Sequence, residues 1–152
     1  MCAVYHYINS LGTYFLGLVP YLIPAAWFIM SYLSFVIADR LVPSDWERWQ
    51  RLLTVAAVGG MVMTAWDLAM DPIKVAGGNW VWDKSRAYFG IPLQNFWGWW
   101  LTICTTFTLY LWLFGKDEKP AKTWFDQLAL GSYLVTTLGI VAASLVTGAG
   151  GL

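Results

Sequence analysis

Residues 66–100, WDLAMDPIKVAGGNWVWDKSRAYFGIPLQNFWGWW, join two apolar runs and place the polar groups of the chain between them. Asp67 and Asp71 stand at the end of the first run, and Gln94 and Asn95 open the second. The loop between them, residues 72–92, is rich in tryptophan and tyrosine. An ionised carboxylate is costly inside a bilayer, so an aspartate in a membrane-spanning run is by default a candidate for a functional site.

Apolar runs extend outward from this stretch over most of the chain. The protein has 152 residues, of which 59% are hydrophobic and 12% are charged, whereas a soluble domain carries about 25% charged residues. The runs cover residues 19–38, 52–71, 93–114 and 125–147, and each approaches the ~20 residues that a spanning helix needs. Because backbone polar groups in lipid must be bonded internally, the runs predict an all-α integral membrane helical bundle.

The predicted bundle has about four transmembrane helices and forms a single domain over residues 1–152. The residue before a proline disfavours the helical conformation, so Asp71-Pro72 predicts the end of the second helix. The aromatic loop 72–92 is expected at the membrane interface, where tryptophan and tyrosine are enriched, and near any site formed by the two aspartates.

Charge patterning predicts the orientation of the bundle. The net charge is zero, which gives no electrostatic reason to expect a nucleic-acid partner. The first and third connections together hold six basic residues and the middle connection holds three. The positive-inside rule therefore puts the first and third connections in the cytoplasm, and loop 72–92 with both termini on the other side. The expected location is the bacterial inner (cytoplasmic) membrane.

The spacing of the two aspartates favours proton chemistry. Asp67 and Asp71 are four residues apart and share one helical face. Two close carboxylates rarely both ionise in a low dielectric, so one of them keeps a proton and can act as a general acid. In the alternative interpretation, Asp71 pairs with Lys74 or Arg86 and Asp67 bonds a neighbouring helix. Asn95 either orients a water or a carboxylate, or caps its own helix.

Two further patterns on the apolar runs have a packing interpretation and a ligand interpretation. The third run carries an aromatic stripe, which would suit a rod-like polyene but more often serves helix packing. Its members are Phe96, Trp100, Ile103, Phe107, Tyr110 and Phe114. The fourth run carries small residues at Gly139, Ala143 and Thr147, and this spacing predicts a close contact within the bundle or between subunits.

Other catalytic devices are unsupported by the sequence. His6 is the single histidine and precedes the first run, so no serine–histidine or cysteine–histidine nucleophile can form inside the membrane. Cys2 and Cys104 are far apart in the chain, and neither a structural disulfide nor a metal site is expected.

Three segments together resemble the integral-membrane carotenoid biosynthesis family, which includes the bacterial and archaeal carotenoid hydratases. They are AWDLAMDP, GGNWVW and YFGIPLQNFWGWW, and the resemblance covers roughly residues 5 to 115. The chain looks shortened at its N-terminus relative to that family. The matching positions are Asp67, Asp71, Pro72, Trp80, Trp82, Gly90, Pro92, Asn95, Phe96, Gly98 and Trp99.

The resemblance implies addition of water across a terminal carbon–carbon double bond of an acyclic carotenoid. Asp67 or Asp71 would protonate the alkene, and Asn95 would orient the water. No cofactor is required, and the carotenoid is the substrate or ligand. The expected substrate-binding residues are aromatic: Trp66, Trp80, Trp82, Tyr88, Phe96, Trp99, Trp100 and Phe107. In the alternative, the chain is a non-catalytic carotenoid-binding subunit of a photosynthetic pigment–protein complex. Its partners would then be the lipid bilayer, the carotenoid and other membrane subunits.

Overall fold

A computed structural model describes residues 5–7, 12–82, 88–115 and 123–148. Four long helices account for most of these residues, and the predicted all-α membrane bundle is confirmed. The helices are α1 (Leu22–Leu41), α2 (Arg48–Ala76), α3 (Leu93–Phe114) and α4 (Trp124–Thr147). The basic side chains of 84, 86, 116, 119 and 122, on which the predicted orientation partly rests, lie outside the described residues.

Three helices in the described part of the chain are long and apolar enough to cross a membrane. They are Leu22–Leu41, Arg48–Ala76 and Trp124–Val146. The fourth helix, α3, is long enough at 22 residues, but its tryptophans and threonines keep its mean hydropathy lower. The chain is therefore an integral membrane protein, with α3 as the most amphiphilic of its helices.

The second helix does not end at Asp71, contrary to the sequence-based prediction. Helix α2 continues through Pro72 to Ala76. Proline has no N–H for the carbonyl four residues earlier, which would leave the Leu68 oxygen without its helical partner. The hydroxyl of Tyr88 donates a hydrogen bond to that oxygen at 2.9 Å. A partner from the following loop thus lets the helix pass through the proline.

Short strands, which the apolar pattern did not predict, fold the N-terminal segment onto the bundle. Strands β1 (Tyr5–Tyr7), β2 (Tyr14–Phe15) and β3 (Val19–Pro20) precede α1, and β4 (Trp80–Trp82) follows α2. Strand β1 pairs with β4 in antiparallel register, and β2 pairs with β3. Because residues 19 and 20 belong to that hairpin, the first helix begins at Leu22 and not at residue 19.

Helix α2 is the centre of the bundle and packs against α1, α3 and α4. Two of its glycines allow α3 to approach closely. Gly59 lies against the ring of Phe107, and a Cβ at Gly60 would come within 2.9 Å of Trp100 Cδ1. The aromatic stripe of α3 is therefore used for helix packing along its middle.

Candidate functional site

A cavity of about 540 Å³ lies between the helices at the end of the bundle that holds Asp67 and Asp71. All four helices and strands β1 and β4 contribute to its walls. Most of the lining side chains are apolar or aromatic, and a few polar groups converge on one wall, as in small-molecule binding sites generally. The polar groups come from the part of the chain that the sequence singled out: Asp67, Asp71, Lys74 and Asn95.

Two aspartates form the buried polar centre of this cavity. Asp67 is 1% exposed and Asp71 is 2% exposed. They share one face of α2, as their spacing predicts. Within the described residues neither takes part in a salt bridge; Lys74 is nearby on the cavity wall but makes no ion pair with Asp71, and Arg86 lies outside the described residues. A buried carboxylate pair without a cation is unusual and marks a functional-site candidate.

Asn95 at the start of α3 joins the two carboxylates. Its Nδ2 donates to Asp71 Oδ2 at 2.9 Å and to Asp67 Oδ2 at 3.2 Å. The side chain does not cap its own helix, because α3 has no side-chain cap hydrogen bond. Of the two interpretations left open by the sequence, the structure shows an amide that orients carboxylates. Gln94 is exposed and lies apart from the cavity lining.

The hydrogen bonds of the two aspartates are unequal. Trp80 Nε1 donates to Asp71 Oδ1 at 2.6 Å, so both oxygens of Asp71 accept from N–H groups. Asp67 accepts through Oδ2 alone, and its Oδ1 is buried without a hydrogen-bond partner among the described residues. A buried polar atom without a partner is costly. Asp67 Oδ1 is therefore the carboxylate oxygen of the site at which a hydrogen bond from a ligand or water would stabilise most.

Aromatic rings surround the carboxylates. Trp27 stacks on Trp99 with ring centroids 4.0 Å apart, and Tyr7 meets Trp80 edge to face at 6.2 Å. Trp66 lines the same cavity, and its buried Nε1 has no hydrogen-bond partner among the described residues. The rings present electron-rich faces beside the acid groups, which is the arrangement that favours a developing cation.

The structure brings many, though not all, of the predicted site residues to the cavity. Those in its walls are Asp67, Asp71, Asn95, Trp66, Trp80, Trp82 and Trp99. Tyr88, Phe96, Trp100 and Phe107 are not among the lining residues. Each of these four side chains makes a packing contact or a hydrogen bond away from the cavity, and its assignment to substrate binding stays a prediction.

Two of these four rings join α3 to another helix, and a third joins α3 to the loop. Phe107 packs edge to face on Phe35 with ring centroids 5.3 Å apart. Trp100 Nε1 donates to the Ala57 carbonyl at 3.2 Å. Phe96 is buried and meets Tyr88 edge to face at 5.3 Å. These three rings of the stripe on α3 thus face α1, α2 and the loop.

Tyr88 acts on the site from outside the cavity. It sits at the start of a tight turn in which Ile91 N donates to the Tyr88 carbonyl at 2.7 Å. Both central residues, Phe89 and Gly90, have positive φ, as in type I′ turns. Burial and the nearby carboxylate of Asp71 raise the pKa of Tyr88 above its ordinary value. Its hydroxyl therefore stays protonated and donates to Leu68 beside the aspartates.

Sequence reasoning missed the walls that α1 and α4 contribute. Trp27 and Met30 of α1 line the cavity, as do Gly139 and Ala143 of α4. The small residues of α4 were predicted to make a helix contact; a Cβ at Gly139 would meet nothing within 4 Å, so Gly139 leaves space and makes no contact there. Only the four-residue spacing of these small side chains could have indicated a wall, and it does not distinguish a contact from a cavity.

Comparison with known protein families gives one match. One family matches residues 3–150, and its description is carotenoid biosynthesis protein. The chain belongs to the carotenoid biosynthesis protein family. The match covers α4 as well as the segments that carried the resemblance, so the cavity wall made by α4 lies within the family region. No curated protein and no solved structure matches this member of the family significantly.

Proposed function

We propose that this member of the carotenoid biosynthesis family is a hydratase that adds water to a terminal carbon–carbon double bond of an acyclic carotenoid. The observation that carries the proposal is the buried pair of Asp67 and Asp71, bridged by Asn95 and set in a cavity of largely aromatic and aliphatic walls. Alkene hydration needs an acid that can reach an apolar substrate, and this cavity supplies one.

The hydrogen bonds support Asp67 as the residue that carries the proton. N–H donors favour the ionised form of a carboxylate, and Asp71 accepts one at each oxygen. Asp67 Oδ1 accepts none from the described residues, so it is the oxygen that can carry a proton. The pair then holds one proton, with Asp67 as the acid and Asp71 as the carboxylate.

The reaction starts with transfer of the Asp67 proton to the less substituted carbon of the terminal double bond. The π electrons form the new C–H bond, and the tertiary carbon becomes a cation. A water oxygen bonds to that carbon, and the proton released from the water goes to Asp71. The two carboxyl groups, both bonded to Asn95, hold one proton before and after the addition. Return of that proton from Asp71 to Asp67 restores the acid for the next cycle, and the addition of water exchanges no electrons with a partner.

Aromatic faces stabilise the cation between the two steps. A desolvated ring contributes on the order of 1–2 kcal/mol to a cation placed over its face. Trp66, Trp80 and Trp99 line the cavity with the carboxylates, and the stack with Trp27 fixes the orientation of Trp99. Since no positive charge develops in the ground state, this contribution acts on the transition state and lowers the barrier.

Asn95 also provides a hydrogen-bond acceptor for the attacking water. Its Nδ2 is used by the carboxylates, which leaves its amide oxygen as an acceptor for a water O–H. A bound water needs two to four polar partners. Asn95 and Asp71 supply two acceptors on the same wall of the cavity, and the second of them is the group that receives the water proton.

The test is to make the full chain in cells that produce an acyclic carotenoid and to analyse the extracted pigment by mass. We expect a product heavier than the precursor by one water with the wild-type protein, and no such product with Asp67→Asn. Unchanged carotenoid that co-purifies in a fixed ratio with the wild-type protein, without any hydrated product, would refute catalysis and indicate a binding subunit.

A further inference from the structure

Exposure divides the lining of the cavity into a floor and a mouth. The buried lining residues are the two aspartates and three methionines, Met30, Met63 and Met70. The exposed lining residues are Leu22 on α1 and Thr136 and Gly139 on α4. The cavity therefore opens between the N-terminal half of α1 and the C-terminal half of α4, opposite the carboxylates.

The same two helices are closely packed at their other ends, which we term the closed end (Arg40, Asp126 and Ala129). Arg40 pairs with Asp126, and Ala129 is 3% exposed. The buried residues of α1 all lie in its C-terminal part, from Met30 onward, and none of residues 130–146 of α4 is buried. The helix pair is held together at the closed end and leaves an opening at the other.

Gly139 leaves this opening without a side chain on the α4 side. A Cβ built there meets no heavy atom within 4 Å, although the residue lines the cavity. Any larger side chain would project into open space at the mouth without displacing the helix. The neighbouring Thr136 offers no unused hydroxyl proton, since its Oγ1 bonds to the Ser132 and Tyr133 carbonyls. The mouth is therefore open at Gly139, and its one hydroxyl group among the exposed lining residues has no proton left to donate to a ligand.

A buried oxygen without a hydrogen-bond partner at the floor of the same cavity indicates that a ligand binds there. Asp67 is almost fully buried, and its Oδ1 has no hydrogen-bond partner in the described part of the chain. The acid lies at the floor of the cavity, and the apolar mouth opens between two candidate membrane spans. Together they indicate how a bound ligand is oriented. One end of a ligand reaches the acid, while the rest of its chain leaves through the mouth into the hydrocarbon layer.

We propose that the gap between α1 and α4 is a lateral entrance from the bilayer, and that Gly139 is a specificity-determining residue that admits a slender, apolar chain. The proposal rests on the proposed function, because it concerns how the hydratase substrate reaches its acid. The occupant is the long apolar chain of a membrane-dissolved polyene. A cavity of about 540 Å³ has the size that holds a drug-sized ligand, so the remainder of a longer molecule extends into lipid.

The chain offers matched controls on the same helix. Gly131 also has open space around a built Cβ, but it does not line the cavity. Likewise, Val135 is 71% exposed and adjacent to Thr136 without lining the cavity. The test variants are Gly139→Leu and Thr136→Phe, and their controls are Gly131→Leu and Val135→Phe.

Each full-length variant is made in cells that supply an acyclic carotenoid, and both hydrated product and protein-bound carotenoid are measured per folded protein. We expect Gly139→Leu and Thr136→Phe to lower conversion about tenfold or more, since small changes of fit in an apolar site cost on the order of 10–200-fold. Gly131→Leu and Val135→Phe are expected to convert as the wild type does, and Gly139→Ala to fall between.

The outcomes separate this proposal from the hydratase proposal. If the wild type converts the carotenoid and Gly139→Leu matches Gly131→Leu in conversion and bound pigment, the lateral entrance is refuted and the hydratase stands. If the wild type neither converts nor binds the carotenoid, the function and the entrance are both refuted. Bound but unconverted carotenoid that is lost only in Gly139→Leu and Thr136→Phe would refute the hydratase and support the entrance.

Discussion

Acidic side chains lie at both ends of the α1–α4 pair, but their electrostatic surroundings differ. At the closed end, charged groups are partnered: Arg40 binds Asp126, which also completes a capping box with Thr123. At the cavity end, Asp67 and Asp71 of α2 are more deeply buried and take part in no salt bridge within the described residues. An acid with a cationic partner stabilises a helix connection, whereas the proposed function uses an acid without such a partner as a proton donor.

The largest effect that this comparison predicts is on conversion in Asp67→Asn. The change keeps the shape of the side chain but removes the acid, and general acid catalysis contributes about 10²–10⁴-fold. We expect a loss of hydrated product of that order, which leaves none detectable by mass, with little change in the free energy of unfolding. Conversion is measured by pigment mass analysis, and unfolding in detergent.

The matched control for that variant is Asp39→Asn. Asp39 accepts a hydrogen bond from Arg51 outside the cavity lining, so its loss should lower stability modestly and leave conversion intact. Equal losses of conversion in Asp67→Asn and Asp39→Asn would contradict the difference proposed between a carboxylate in the cavity and one paired with arginine outside it.

The next effect concerns Trp80, whose N–H favours the ionised form of Asp71 in the proposed mechanism. Trp80→Phe removes the N–H that binds Asp71 Oδ1 and retains an aromatic ring. A hydrogen bond to a charged group is worth about 1.5–3 kcal/mol, so we expect conversion to fall roughly tenfold or more. Trp49→Phe serves as the control, because Trp49 Nε1 bonds to the exposed side chain of Glu47. Retention of wild-type conversion in Trp80→Phe would contradict the role assigned to Asp71.

A third effect should appear in stability and not in conversion. Gly60→Ala places a Cβ within 2.9 Å of Trp100 Cδ1 and 3.0 Å of the Trp100 carbonyl oxygen. Overpacking of this kind costs about 1–3 kcal/mol. Gly131→Ala, where nothing crowds the new methyl group, should instead stabilise by about 0.5–1 kcal/mol through helix propensity. Thermal unfolding of the two variants in detergent should shift in opposite directions.

The smallest effect is expected from Tyr88→Phe. This change leaves the Leu68 carbonyl, freed by Pro72, without its partner, and a neutral hydrogen bond is worth on the order of 1 kcal/mol. We expect a loss of stability near that value and a mild loss of conversion, because Asp67 and Asp71 flank the affected turn. Tyr32→Phe on the exposed face of α1 should change neither quantity.

The sequence predicted the bundle well because hydrophobic runs of this length have few alternatives in lipid. The cost of burying charge singled out Asp67 and Asp71, and the aromatic content and family resemblance of residues 66–100 pointed to Asn95 and to four tryptophans that line the cavity. It was wrong on the end of α2, since the effect of Pro72 depends on Tyr88, a partner that only the folded loop brings near.

The rest of the site depends on contacts between distant segments. The stack of Trp27 on Trp99 and the pairing of Tyr7 with Trp80 join residues far apart in the chain. Periodicity cannot find such pairs, because it reports which face of a helix is apolar and not what that face meets. For the same reason the small residues of α4 indicated a contact where the structure has a cavity wall around Gly139.

The most direct test of the central claim is to run the conversion in heavy water and measure carbon-bound deuterium in the product. Protonation of the alkene by Asp67 predicts one deuterium that stays on carbon after the hydroxyl has been exchanged back in ordinary water. The product would then be heavier than the same alcohol made in ordinary water by one deuterium, and Asp67→Asn would yield none of it. A hydroxylated product without carbon-bound deuterium would contradict the account, because its oxygen would not have been added by hydration of the double bond.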